Sequence, residues 1–316
     1  MNNITNLDTD RSFQVSVMTD KNLITKINKD NQYNNPEKNR LNKYKCPLCS
    51  SEKTSFFVED YWGNYYFRCS SCELVFLRPI VKGDNDKESW TNGIDADGNK
   101  RDLTKDRDFK IKNWYGDVVK YLKQSKPGKI IDIGCGLGYL LSSLPDEWEK
   151  YGYEISSFGR SFIKENFSDI NIVDDLQLDE KEPAKTHLNK YDFVVCYHVI
   201  EHIKYPGLFM KNMVKLLKAG GVLIIGTPNM GSIAAKKFKG NFRLFNKDHI
   251  SMFNRQNLEW LLEQNNLKIF RKEYPFFKTD YFTFKNFLRL FQTKKPSPPF
   301  YGSIMTMYAE KDKLKN

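Results

Sequence analysis

Lys129 to Gly134 is a short apolar strand whose Ile130–Ile133 leads directly into Gly134-Cys135-Gly136-Leu137-Gly138, and this junction constrains the fold more than any other feature. Its glycines let the backbone turn sharply and come close to a ligand at the start of the next segment, as in open parallel sheets that bind nucleotides. A G-x-G-x-G loop alone also fits a dinucleotide binder or a bare structural turn, so its surroundings have to decide.

Those surroundings alternate between helical and extended periodicity. Phe109, Ile111, Trp114, Val118 and Leu122 form a helical stripe that Pro127-Gly128 stops. Residues 137–144 read as a helix, 149–154 as a second strand, 158–166 as a helix and 170–173 as a third strand. Tyr191–Tyr197 reads as a buried strand, and 207–218 as an amphipathic helix ended by Gly220-Gly221. Val222–Gly226 is a further strand and Arg255–Gln264 a further helix, while strands near 267–274 and 303–310 could close the sheet as a hairpin pair. Alternation of this kind predicts an α/β fold, a mostly parallel sheet with helices on both faces.

Ahead of this region the cysteines dominate. Cys46-Pro-Leu-Cys49 and Cys69-Ser-Ser-Cys72 are two C-x-x-C turns separated by 19 residues, enough for a hairpin such as Phe56–Val58 with Tyr65–Arg68. Two such turns make a tetrahedral four-thiolate site suited to zinc, and a redox pair or an iron site are the other readings. Four Cys ligands leave no open position, so the metal would be structural. The expected organisation is a disordered tail over 1–43, a zinc ribbon over 44–80, a charged linker or lid over 81–107 and a catalytic domain over 108–316.

The N-terminus lacks a basic start followed by an apolar stretch, and no run of about 18 apolar residues occurs, so a cytoplasmic protein without a membrane span is expected. The formal charge of +11 favours acidic partners, an anionic small molecule or nucleic acid among them. After Leu267, 11 Lys/Arg face 4 Asp/Glu, so part of the basic excess gathers near the C-terminus.

Carboxylates fall where an open sheet would use them. Glu154 ends the second strand 22 positions after Asp132, where a carboxylate can take ribose hydroxyls. Asp174-Asp175 follows the third strand, where a carboxylate can accept an adenine amino group, and Cys196-Tyr197-His198 ends the fourth beside the same crevice.

At this point IIDIGCGLGYLL resembles motif I of class I methyltransferases that use S-adenosylmethionine (SAM), and GYEIS, VDDL, YDFVVCYHVIEHI and LLKAGGVLIIGTPN follow in the family's order. The resemblance covers roughly 109–275 and implies a Rossmann-like seven-stranded sheet. Val199-Ile200-Glu201-His202, Thr227-Pro228-Asn229 and His249-Ile250-Ser251-Met252-Phe253 are similar to a subgroup that includes quinone-biosynthesis O-methyltransferases and enzymes of glycan and sugar clusters. Carried over, Asp132, Gly134, Gly136 and Gly138 would line the loop and the methionine end. Glu154 would bind the ribose, Asp174 or Asp175 the adenine with Leu176 packing on the ring, and Cys196, Tyr197 and His198 would border the methyl. The quinone enzymes carry a second Glu three positions before E-H, part of a metal site; His198 stands there, which argues against a metal at that place.

Of the four histidines, His249 and His198 are the candidates for a base or substrate contact, and His187 reads as a solvated loop residue. Lys236–Arg243 mixes cations with aromatics and could grip a phosphate or cover the site. Phe277, Tyr281, Phe284, Leu288 and Phe291 suggest a lid helix over 276–291, or a membrane-surface helix. The leading expectation is a SAM-dependent methyltransferase acting on a small-molecule, sugar or glycan-precursor acceptor. An RNA methyltransferase using its zinc ribbon for recognition and a non-catalytic scaffold are the alternatives; no N-P-P-[YF] motif supports the former, and the intact loop with Glu154 speaks against the latter.

Overall fold

The structure, a computed structural model, describes residues 43–80, 91, 93–94 and 100–313. The expected tail and most of the expected linker therefore lie outside the described residues. In chain order the strands are β1 Thr54–Glu59, β2 Tyr65–Cys69, β3 Val75–Leu77, β4 Gly93–Ile94, β5 Lys100–Arg101, β6 Lys129–Ile133, β7 Glu149–Tyr153, β8 Ile170–Val173, β9 Tyr191–Tyr197, β10 Leu217–Pro228, β11 Ser251–Met252, β12 Leu267–Glu273 and β13 Ile304–Lys311. The helices are α1 Arg107–Asn113, α2 Gly116–Gln124, α3 Ser157–Asn166, α4 Pro206–Leu216, α5 Ile233–Phe238, α6 Arg255–Glu263 and α7 Phe284–Arg289.

Seven strands form the central sheet in the order β12-β13-β10-β9-β6-β7-β8. The contacts among β10, β9, β6, β7 and β8 are parallel, and β13 runs antiparallel between β10 and β12. The α/β, Rossmann-like, mostly parallel sheet expected from the sequence is therefore what forms. Alternation along the strands sends side chains to opposite faces. Ile131, Ile133, Val194, Cys196, Leu223 and Ile225 meet Phe209, Met213, Leu258 and Leu262 of α4 and α6 on one face. Ile130, Val195, Tyr197 and Ile224 meet Val118, Leu122 and Ile163 of α2 and α3 on the other. Each such fully buried side chain stabilises the fold by about 1.5–3 kcal/mol.

Three local expectations are corrected. Residues 137–144 form only a 3-10 turn at Leu141–Ser143, because Gly138 sits at φ +75° and Pro145 follows directly; Leu140, Leu141 and Leu144 are still buried. Gly220-Gly221 does not end a helix. Helix α4 stops at Leu216 and β10 starts at once, with the glycines in a register irregularity between Leu217 and Val222. The 276–291 helix shrinks to the six residues of α7, capped by Thr283, whose side chain accepts from the Asn286 backbone N–H. Phe277, Phe284 and Phe291 are exposed, so the apolar spacing marks no buried face.

The cysteine region joins a second sheet, β1-β2-β3-β11, whose fourth strand is Ser251–Met252 from the far side of the glycine loop. Tyr66, Val75 and Leu77 pack there against Ala234, Ala235, Phe242, Phe245, Ile250 and Met252. The Tyr61 N–H donates to Gly240 O at 3.2 Å, and a Cβ on Gly240 would stand 2.2 Å from Glu59 O, so only glycine allows this approach. The Tyr66 hydroxyl donates to Asn246 O at 2.7 Å, with His249 O at 3.1 Å. The cysteine-bearing sheet thus grips the segment that carries His249.

Candidate active site

The glycine loop leaves β6 at Gly134, whose φ is +72° and where a Cβ would lie 2.4 Å from Val199 Cγ2. The N–H groups of Gly134 and Cys135 both donate to Tyr153 O, at 2.7 and 3.1 Å, which pins the loop to the end of β7. Glu154 completes the clasp: its Oε2 accepts from Gly136 N at 2.7 Å and its Oε1 from Ser156 N at 2.8 Å. A carboxylate has about four acceptor positions, so two ligand hydroxyls can still be taken. Asp132 is buried on β6 beneath the loop; burial pushes its carboxyl well above the usual range, and the Glu154 carboxylate adds to that.

Beside the loop opens a cavity of about 480 Å³. Gly134, Gly136, Tyr197, His198 and His249 line it, so five of the expected site residues meet in one place. The others fall elsewhere. Gly138 faces Ile163 and Ile170, and Cys196 is fully buried within β9. Glu154 stands behind the loop. Leu176 is buried and Asp174 exposed at the end of β8. Asp175 is engaged by His187, whose Nε2 lies 2.8 Å from it and whose Nδ1 lies 3.3 Å from the Tyr191 hydroxyl. His187 is therefore buried and paired, not solvated as expected, because the chain folds Asp175 over it.

Three histidines and one carboxylate, His198, His202, His249 and Glu201, gather at one side of the cavity. His198 has φ +57°, an uncommon conformation for a side-chain-bearing residue, and its N–H donates to Gly226 O at 2.8 Å. Its Nδ1 lies 3.0 Å from Glu201 Oε1, and Thr227 Oγ1 donates to Glu201 Oε2 at 2.9 Å. Burial alone pushes the Glu201 carboxyl up, but the His198 hydrogen bond and the surrounding histidines pull it down to about 2. His249 Nδ1–H donates to Leu244 O at 2.6 Å and His202 Nδ1–H to Asp248 O at 2.9 Å, which leaves each Nε2 as a lone pair. Burial, helped by nearby His202, holds His249 down to about 3, so it is a neutral imidazole at ordinary pH. Glu201, His202 and His249 offer ligand atoms within 4.8 Å of one another, a grouping that the replacement of a second Glu by His198 had argued against.

The rest of the wall includes Lys110, Phe300 and Ser303, which the sequence did not single out, and Phe276 and Tyr281 of the segment expected as a lid. Lys110 is buried with its ammonium 4.9 Å from the Trp114 ring centroid. Phe276, Tyr281, Phe300 and Ser303 reach the cavity from the long connection between β12 and β13. That connection is tied to α1: Asn113 Oδ1 accepts from Asp280 N at 2.6 Å, and Trp114 Nε1 donates to the Tyr281 hydroxyl at 3.2 Å.

Away from the cavity, the four cysteine sulfurs lie within 4.8 Å of one another, with Cys46–Cys72 at 3.5 Å and Cys49–Cys69 at 3.6 Å. A cation bound to four sulfurs at about 2.3 Å separates them by roughly 3.8 Å, so the donor set fits a tetrahedral soft cation. The hydrogen bond from Cys72 holds the Cys46 thiol down to about 5 and pushes Cys72 up, while burial raises Cys49.

The methyltransferase-domain family matches residues 109–272. The ubiquinone biosynthesis O-methyltransferase of Rickettsia bellii is 27% identical over 176 residues, covering 51% of this chain and 67% of that protein. That of Rickettsia canadensis is 30% identical over 129 residues, 38% of this chain and 48% of that protein. In fold, the chain is similar to one in a solved Haloferax volcanii complex that contains the Trm112 methyltransferase activator, with a TM-score of 0.53 at 12% identity over 73% of this chain and 99% of that one.

Proposed function

We propose that this chain, which belongs to the methyltransferase-domain family and is a SAM-dependent methyltransferase, methylates a small-molecule acceptor at a hydroxyl oxygen. What carries this reading is one cavity joining the glycine loop to the His198–Glu201–His249 group. The relatives' name, ubiquinone biosynthesis O-methyltransferase, supports oxygen as the acceptor atom. At about 480 Å³ the cavity suits a small molecule more than an RNA strand.

SAM, when bound, supplies an electrophilic methyl on a sulfonium. The chain's part is to align the acceptor with it and to remove a proton. Gly134 and Gly136 give backbone room at the methionine end, and Glu154 takes the ribose hydroxyls with its remaining acceptor positions. Asp174, the unpaired member of its pair, is the candidate for adenine, and the Lys110 ammonium for the methionine carboxylate. Tyr197 walls the methyl. His198, backed by the Glu201 carboxylate, has the arrangement of a base whose protonated form is stabilised from behind. His249, neutral and fixed by Leu244 O, presents Nε2 as an acceptor that orients the hydroxyl. Zinc on Cys46, Cys49, Cys69 and Cys72 would be structural, holding the sheet that grips the His249 segment.

The test is formation of S-adenosylhomocysteine (SAH) from SAM with a panel of phenols, catechols and sugars. Acceptor-dependent SAH formation, lost in His198→Ala, is expected. A protein that binds SAM but forms SAH only with RNA would replace this reading by the nucleic-acid one.

A further inference from the structure

We infer that the acceptor carries an oxyanion, a carboxylate or a phosphate, and that Arg243 forms the subsite that holds it. The inference rests on the methyltransferase reading and adds the acceptor's chemical class. Arg243 lines the cavity as a half-buried residue, and its Nε, packed out of reach of solvent, has no hydrogen-bond partner among the described residues. An arginine that lines a cavity while no carboxylate engages it calls for a ligand that supplies the counter-charge.

Arg243 is held by its backbone only. Its N–H donates to Ser297 Oγ at 3.1 Å, and its carbonyl accepts from the Tyr61 hydroxyl at 3.4 Å. No ion pair engages its guanidinium among the described residues. Among the described residues the cavity lining contains Lys110 and Arg243 and no Asp or Glu. Lys110 lies against Trp114 and Tyr139, on the glycine-loop side, where the cofactor's own carboxylate would come. Arg243 belongs to the segment that carries Asn246 and His249, on the acceptor side. A guanidinium offers a planar fork of donors that matches a carboxylate or phosphate in two hydrogen bonds. Trp114, Phe276, Tyr281 and Phe300 supply apolar walls for the body of such a molecule.

Calorimetry on the SAH-loaded protein tests this with para-hydroxybenzoate, its uncharged match para-hydroxybenzamide, and phenyl phosphate. The benzoate or the phosphate should bind at least about 10-fold tighter than the amide, and the stronger of the two identifies the oxyanion. Arg243→Gln should weaken that anion on the order of 30-fold and erase the preference, with SAH affinity and Tm unchanged because the guanidinium makes no hydrogen bond or ion pair among the described residues. Arg243→Lys, which keeps the charge and loses the fork, should fall between. Equal binding of acid and amide, no binding of either anion, or a preference that survives in Arg243→Gln would overturn the inference. Wild type that fails to bind SAH would contradict the methyltransferase reading and this inference together.

Discussion

Replacing Tyr66 by Phe removes one oxygen atom and tests whether the cysteine-bearing sheet sets the acceptor side of the cavity. The Tyr66 ring is fully buried, 4.2 Å from the Phe245 ring, and Phe keeps that packing. What disappears is the donor to Asn246 O at 2.7 Å, with His249 O at 3.1 Å. Asn246 O keeps the His249 N–H as a donor at 3.2 Å, so the change removes one net hydrogen bond, worth about 1 kcal/mol. For a domain of this size that lowers Tm by roughly 2–4 °C. The loop is released at Asn246 and His249, whereas the glycine loop and Glu154 are held by other bonds. Thermal unfolding and SAM calorimetry on Tyr66→Phe should show the lower Tm with unchanged SAM affinity, and turnover should fall through kcat. A variant with wild-type Tm and wild-type kcat would refute the link between the sheet and the site; a variant that lost SAM affinity would show that the loop reports to the wrong half of the cavity.

Other outcomes follow from the same geometry. Chelation, or Cys46→Ser, should release about one zinc per chain by metal analysis and lower Tm, because the donor set has no covalent substitute; a protein purified without zinc yet equally stable would count against the site. SAM affinity should rise with pH as Asp132 ionises: its carboxyl is raised in the free protein by burial and by Glu154, and a cationic ligand favours the charged form. Calorimetry in buffers of different ionisation enthalpy should accordingly register proton release on binding, and none in Asp132→Asn.

The catalytic core was readable because its signals are local. The Gly134–Gly138 loop, Glu154 at the next strand end and the apolar runs at Tyr191–Tyr197 and Val222–Gly226 are each signals only a few residues long. What the sequence hid depends on distant contacts. Phe276, Phe300 and Ser303 carry no periodic signal and reach the cavity only because Asn113 and Trp114 tie down Asp280 and Tyr281. His187 looked like a polar loop residue until Asp175, 12 positions earlier, closed over it. A two-residue strand such as Ser251–Met252 is too short for any pattern, so its pairing with β3 and the linkage of the cysteine sheet to the His249 segment were not foreseeable. Arg243 was visible within a basic and aromatic stretch, but only the fold distinguishes it from the lysines around it.

Titration of SAM into the purified protein, with Glu154→Ala beside it, tests the central claim most directly. The Glu154 carboxylate is expected to anchor the ribose and already holds Gly136 N and Ser156 N. Hydrogen bonds to a charged group contribute about 1.5–3 kcal/mol each, so the variant should bind at least about 30-fold more weakly. Tight binding by wild type and its loss in Glu154→Ala would bear out the account. Folded wild-type protein that takes up no SAM would contradict it.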